Sequence, residues 1–337
     1  MDHQMDLTTI DRMALDLSEG SVNQKWSHAF GLWLSSKADN TRRAYNAAWA
    51  ALIEYTGKMP WEMGSADIEA WAASLHQAYS ESTVQQRLAA ISSFFSFARL
   101  NYMDFVDGIE RPLHHYNPAK AVSRPKVQAY GKAHPLSVEG ARALLDAIDR
   151  GSVQGKRDFA LILAYIVTGR RNSEIRNLRW GDIEERNGRI WYRWQGKGCT
   201  SGQYEMPATV YHAITDWLTA SGRLADMQSA DYIFTAICDH ASRFPGVDHD
   251  PDRPLSARYV RDLVKKYARL AGLDPQLVRV HDLRHTAAML RAEAGDDVRL
   301  ISSFLGHSDL RTTSRYLFRV GGRTDESWGK VCQMLSI

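Results

Sequence analysis

The sequence predicts a mainly α-helical protein with a small β-sheet, divided into two domains. Three observations carry that expectation. From about residue 22 to 105, apolar residues recur at steps of three and four, the period of a helix with one buried face. The run GRIWYRWQGK (188–197) alternates instead, as a strand does, and YEMPA (204–208) supplies a return strand beyond a glycine-containing turn. Between 111 and 136 all periodicity stops at Pro112, Pro118, Pro125 and Pro135, which break any helix there. A chain of 337 residues is long enough for a core on each side of that break.

Taken in order, residues 1–21 read as a flexible acidic tail. Asp2, Asp6, Asp11, Asp16 and Glu19 face Arg12 alone, a net of −4, which leaves +7 for the remainder of a chain whose total is +3. Residues 22–110 read as a bundle of four short helices. Trp26, Phe30 and Trp33 make the first stripe; Tyr45, Trp49, Leu52 and Ile53 make the second, behind a cap at Asn40. Ile68, Trp71 and Leu75 follow a cap at Ser65, and Val84, Leu88, Ile91, Phe94 and Phe95 follow one at Ser82. These aromatics are expected to be core. Residues 111–136 form a basic linker through Lys120, Arg124, Lys126 and Lys132, either a solvated connector or a strap along a phosphate backbone, with the second use favoured.

The second domain, 137–320, opens with a helix after Ser137. A long apolar helix follows in RDFALILAYIVTG and ends near Gly169; others cover 256–271, 282–294 and 298–305. Beyond Gly321-Gly322, the tail 321–337 places Trp328, Val331, Cys332 and Leu335 on one stripe of a short helix. A helix that short must bury its stripe, on its own domain or on a neighbouring copy.

Composition narrows the function. At 44% apolar and 24% charged residues the chain is globular, not disordered. No run approaches the roughly 18 apolar residues of a membrane span, and MDHQMDLTTIDRM lacks the pattern of a secretory signal. Cys199, Cys238 and Cys332, odd in number and far apart, suggest neither a disulfide framework nor a zinc site, so a reducing, cytoplasmic location is expected. His240, Asp248, His249, Asp250 and Asp252 fall in an irregular, proline-containing stretch at 238–254 that reads as a solvated loop, not a metal centre. The basic remainder is compatible with a polyanionic partner.

Four segments of the second domain hold chemically capable residues: TGRRNSEIRNLRW (168–180), QGKG (195–198), HDLRHT (281–286) and LGHSDLRTTSRYL (305–317). Each alone is weak; their joint order and spacing is specific. The chain here resembles the tyrosine recombinases, the family of the phage integrases and of Xer- and Cre-like site-specific recombinases. That family is marked by an Arg in a TGxR-xx-E context, a Lys on a β-hairpin, an HxxR box, and LGH followed nine residues on by the nucleophilic Tyr. Arg171, Lys197, His281, Arg284, His307 and Tyr316 match those positions in that order. The family's residue before the catalytic arginine is usually apolar, whereas Arg170 stands there; counting back three from Glu174 selects Arg171. The likeness spans roughly 22–320 and includes an N-terminal helical, SAM-like core-binding domain ending in a motif like Asn117-Pro118.

The resemblance implies a two-domain DNA clamp and a definite chemistry. In-line attack on a phosphodiester builds charge on the non-bridging oxygens, and Arg171 and Arg284 offer planar, permanently charged forks for them. His281 and His307 donate to the same oxygens. Tyrosine ionises near pH 10, so attack needs a base, and His281 is the implied one. Lys197 is the implied acid for the departing 5′-oxygen. Tyr316 then holds the 3′-phosphate covalently until another 5′-hydroxyl reverses the step through a Holliday junction. Glu174 is expected to brace Arg171, and His285 and Asp309 to support the site. No cofactor, metal or ATP is required. The implied partners are double-stranded DNA with inverted half-sites, a homo-tetramer on two DNA sites and, in some systems, accessory DNA-bending proteins, within a bacterial, phage or mobile-element setting. A type IB topoisomerase, a telomere resolvase and a catalytically idle DNA-binding relative are the competing readings; a full catalytic set without large insertions disfavours them.

Overall fold

The computed structural model of the chain describes residues 22–101, 103–106, 109–112, 115–125, 133–195, 201–237 and 253–306. Two compact units divide it, Met1–Ala129 and Tyr130–Ile337.

The first unit contains four helices, α1 (Val22–Ser35), α2 (Asp39–Thr56), α3 (Ser65–Ala78) and α4 (Glu81–Asn101). Their apolar stripes meet in an aromatic core where Trp26, Phe30, Trp33, Trp49, Phe94 and Phe95 are all at most 1% exposed. Phe94 is the hub. Its ring meets Trp49 edge-on at 5.0 Å and 90°, Phe30 at 5.1 Å and 86°, and Trp26 at 5.9 Å and 68°. These are the edge-to-face arrangements that aromatic quadrupoles favour.

Three helix starts differ from expectation by one or two residues. α2 begins at Asp39, and Asn40 lies inside its first turn, accepting from Arg43. α3 begins at Ser65 itself, because Asp67 reaches back and accepts from the Gly64 N–H at 2.9 Å. α4 starts at Glu81, with the Ser80 hydroxyl beside those of Ser82 and Thr83. An acidic side chain three residues in can satisfy the orphan N–H groups as well as a hydroxyl at the cap.

The segment read as a connector begins inside this unit. An antiparallel hairpin, β1 (Met103–Val106) and β2 (Ile109–Pro112), pairs Met103 with Pro112. A 3₁₀ turn at Pro118–Lys120 then packs on α3 and α4. Asn117 fastens it: its amide donates to the Ser92 carbonyl at 2.7 Å and the Ser96 hydroxyl at 2.8 Å, while its carbonyl accepts from Ala119 N–H at 3.1 Å. Ala119 and Val122 are buried with it; Lys120 and Arg124 are exposed.

The second unit is built around α6 (Val153–Thr168), preceded by α5 (Val138–Asp146), whose cap Ser137 accepts from Gly140 N–H at 3.1 Å. Both sides of α6 are buried, Ala160, Leu161, Ile162 and Tyr165 each at 0%. After the short α7 (Asn172–Arg176) comes an antiparallel sheet in the order β3 (Ile183–Arg186), β4 (Arg189–Gln195), β5 (Ser201–Glu205). β4 and β5 are the expected hairpin, with Trp194 opposite Gly202; β3 is additional. The remaining helices are α8 (Ala208–Ala220), α9 (Ala257–Leu270), α10 (Val280–Glu293) and α11 (Val298–Leu305). α8 and α10 pack on α6. Among the described residues no helix is long and apolar enough to cross a membrane.

Replacing Asn117 by Ala removes the buried amide and leaves the Ser92 carbonyl without that donor. The expected cost is about 1–3 kcal/mol, read as a lower denaturant midpoint for the N-terminal unit.

Candidate active site

α6 ends at Gly169, which caps it in the left-handed region at φ 61°. The next two residues diverge. Arg170 is buried, at 1% exposure. Arg171 turns outward, its side chain 43% exposed, while its partner Glu174 is buried at 1%. Glu174 accepts twice from that arginine, from Nη1 at 2.8 Å and from the backbone N–H at 3.0 Å. The arrangement fixes the guanidinium from behind and leaves its far edge toward solvent. It also separates the doublet physically: the Arg171 side chain is exposed, whereas Arg170 is buried and borders the cleft described below.

α10 supplies the HDLRH segment. His281, Arg284 and His285 lie three and four residues apart, hence on one face. Arg284 is 4% exposed, and its two terminal nitrogens donate to the Gly169 carbonyl at 2.7 Å and the Leu305 carbonyl at 2.6 Å. One side chain therefore joins the end of α6, the start of α10 and the end of α11. Asp282, fully buried, accepts two bonds from the Arg279 guanidinium at 2.7 and 3.0 Å and one from the His134 N–H at 3.3 Å. Thr286 accepts from the Leu136 N–H at 2.9 Å, so residues 134–136 are tied along α10.

These elements border an open cleft of about 450 Å³. Among the described residues, Arg170, Arg261, Lys265, Arg279, His281 and Arg284 give it its charged lining, and no carboxylate does. Such a surface concentrates positive potential and suits an anion. Arg261, Lys265 and Arg279 were not among the residues selected from the motifs. Their signal was present: α9 buries Val260, Leu263, Val264 and Tyr267 on one side, so Arg261 and Lys265, four apart, share another face.

His281 is held below its ordinary value of 6.5, first by burial and then by the positive charges of Arg284, Arg279 and Arg171, against the opposing pull of Asp282. Its ring meets that of His285 edge-on, with centroids 4.7 Å apart. His285 is lowered to about 4, again mainly by burial. Both shifts favour the neutral imidazole, a form that can take up a proton. The structure thus brings together Arg171, Glu174, His281, Arg284 and His285. Lys197, His307, Asp309 and Tyr316 lie outside the described residues, as do Lys126, Lys132, residues 238–252 of the expected loop and the tail stripe.

The shift of His285 has a consequence for stability. A histidine with a depressed folded value binds protons more readily when unfolded, so its contribution is intact above pH 6.5 and is lost as pH falls toward about 4. The free energy of unfolding should decline across that window, and His285→Gln should show a shallower decline, measured by urea denaturation at a series of pH values.

Comparison with known proteins accords with this geometry. The pattern of the phage integrase family matches residues 135–319. That of the phage integrase N-terminal SAM-like domain matches 25–98. A tyrosine recombinase of Synechococcus elongatus is 28% identical over 309 residues, covering 87% of this chain and 89% of the relative. Tyrosine recombinase XerC of Corynebacterium efficiens is 28% identical over 74% of this chain and 72% of its own length. Among solved structures, the XerH site-specific recombinase bound to its palindromic difH substrate superposes with a TM-score of 0.66 at 19% identity, covering 88% of this chain and 79% of that one. A lambda integrase tetramer bound to a Holliday junction gives 0.61 at 13% identity, covering 92% and 83%. With an Arg–Glu brace, an HxxR face and a cationic cleft in one unit, and with the family pattern covering more than half of its length, this chain belongs to the phage integrase family, the tyrosine recombinases.

Proposed function

We propose that the protein is a site-specific DNA recombinase that cleaves and rejoins strands through a 3′-phosphotyrosine at Tyr316. The observation that carries the reading is the cationic cleft lined by Arg284, His281 and the α9 residues Arg261 and Lys265, in the same unit as the exposed Arg171 braced by Glu174. In this mechanism a scissile phosphate lies against Arg171, Arg284 and His307. His281, biased toward its neutral form by burial and neighbouring cations, takes the proton of the Tyr316 hydroxyl as its oxygen bonds to phosphorus. The bond from phosphorus to the 5′-oxygen breaks, and Lys197 supplies the proton to that oxygen. Attack by a 5′-hydroxyl of the partner duplex reverses each transfer and releases Tyr316. Energy stored in the phosphotyrosyl linkage makes ATP unnecessary, and fixed guanidinium groups take the part a metal ion plays elsewhere.

The basic residues Lys120, Arg124, Lys126 and Lys132 would follow the duplex backbone between the two domains, and inverted half-sites would be filled by pairs of protomers. The lambda integrase neighbour is a tetramer on a Holliday junction. A cyclic tetramer on two sites fits this chain if the stripe of Trp328, Val331, Cys332 and Leu335 docks on an adjacent protomer.

A nicked suicide duplex carrying the site protected in footprints of the gene's own flanking DNA provides the test. The parent protein should form a covalent adduct, visible on a denaturing gel, in excess chelator as well as without it. Tyr316→Phe should bind the duplex and form none. Arg171→Ala should lower the rate on the order of 10²-fold or more. An adduct surviving in Tyr316→Phe overturns the assignment of the nucleophile.

Deleting residues 325–337 should leave the affinity for a single half-site unchanged while abolishing cooperative filling of paired half-sites, as read by gel shift. Unchanged cooperativity would assign the tail to its own protomer.

A further inference from the structure

The residue that departs from the family pattern, Arg170, is buried just beyond the end of α6 and borders the cleft. Its Nε donates to the Thr168 carbonyl at 3.2 Å, and Nη2 donates to the Phe304 carbonyl. Its guanidinium stands over three rings, with centroids at 4.2 Å for Tyr204, 5.4 Å for Phe304 and 5.7 Å for Trp194. None of the ion pairs formed among the described residues includes it. A buried cation without a carboxylate is costly unless its donors are met. Here carbonyls, π-faces and the negative C-terminal end of α11 meet that need.

Those contacts join parts of the unit that are far apart in sequence. Trp194 belongs to β4 and Tyr204 to β5, and their rings stack at 6.3 Å and 23°. Phe304 belongs to the last turn of α11, where the Tyr204 hydroxyl makes a second tie by donating to the Ser303 carbonyl at 3.0 Å. The fit is close on both sides. A Cβ added at Gly202 would fall 2.7–2.9 Å from the Trp194 indole, and one at Gly169 would fall 2.9 Å from the Phe304 ring. Glycine at both places is what lets the hairpin and the loop approach.

We propose that Arg170 is a positioning residue: by clamping the β4–β5 hairpin to the C-terminal end of α11, it holds the segments around Arg171 in the geometry that strand cleavage needs. Along the chain, β4 and β5 are joined by residues 196–200, which include Lys197, and α11 leads through Gly306 into His307. Arg171 follows the clamp directly. The inference rests on the roles proposed above for Lys197, His307 and Tyr316. An apolar residue at position 170 would fill the space between the rings but offer nothing to the Phe304 carbonyl. A lysine would keep the charge yet could not reach the Thr168 and Phe304 carbonyls together.

Two measurements on Arg170→Leu test this. The first is amide hydrogen exchange on the DNA-free protein. Exchange should accelerate at both 202–205 and 303–306 while α6 stays protected. Unchanged exchange at either segment would overturn the clamp, as would a uniform loss of protection across the unit, the mark of a merely structural residue. The second is adduct formation on the suicide duplex. The rate at saturating DNA should drop on the order of 10²-fold, the scale of a small misplacement of catalytic groups, with the affinity for the duplex unchanged. A full rate with a loosened hairpin would overturn the positioning role. Exchange needs no DNA, so it judges the clamp independently of the recombinase reading, whose own failure would show as no adduct from the parent protein. If Arg170→Leu does not fold, Arg170→Lys serves both measurements, with changes in the same two segments and a smaller rate loss.

Discussion

The catalytic unit depends on a guanidinium that has to be buried. Arg284 is 4% exposed and donates to the carbonyls of Gly169 and Leu305. Those carbonyls lie at the ends of α6 and α11, where no intrahelical donor remains for them. Each side supplies what the other lacks, and the result is a single point at which the three motif-bearing segments meet. Gly169 and Gly306 make the meeting possible by ending their helices in the left-handed region, at φ 61° and 65°. An arginine that lines the cleft is thus also the bolt that assembles its surroundings.

Collecting cations in one cleft carries an electrostatic cost, and the structure meets it from behind. Glu174 and Asp282 are buried at the backs of Arg171 and Arg279, the first accepting two bonds from its arginine and the second three. On the cleft side the charges of Arg261, Lys265, Arg279 and Arg284 remain mutually repulsive. The depressed protonation of His281 is one expression of that field. An anion entering the cleft relieves the repulsion, so binding and local stability are linked.

Placement of the α9 cations relies on a second buried polar network. Arg157 and Asp158, 1% and 0% exposed, pair on α6; Asp158 accepts from the Tyr267 hydroxyl at 2.9 Å, and Arg157 bonds the Tyr259 hydroxyl and the Thr235 carbonyl. Tyr259 and Tyr267 sit on α9, two turns apart. A helix held by apolar contacts alone can slide at small cost, whereas breaking a satisfied buried pair is expensive, so the network sets the register at which Arg261 and Lys265 reach the cleft. The N-terminal unit works by other means, with an aromatic core centred on Phe94 and one polar knot, Asn117, that folds the start of the connector back onto α4.

The sequence by itself determined the class, the helices whose stripes repeat over three or more turns, the β4–β5 hairpin and the identity of the motif residues. Those signals are local: a 3.6-residue period, an alternation, a spacing of three between Arg171 and Glu174. β3 and the β1–β2 hairpin were not legible, since strands of four residues carry too little periodicity to stand out. α8 directly follows the return strand, and Val210, Ile214 and Trp217 mark its one buried face. The spacing from Glu174 selects Arg171 over Arg170 in the sequence, and only the tertiary structure shows how their surroundings differ: Arg170 is enclosed by three rings and two carbonyls, while Arg171 is exposed and braced by Glu174. It alone brought Arg261, Lys265 and Arg279 to the same opening as His281 and Arg284, since the convergence of residues from separate helices is a property of packing and of the buried ion pair beneath them.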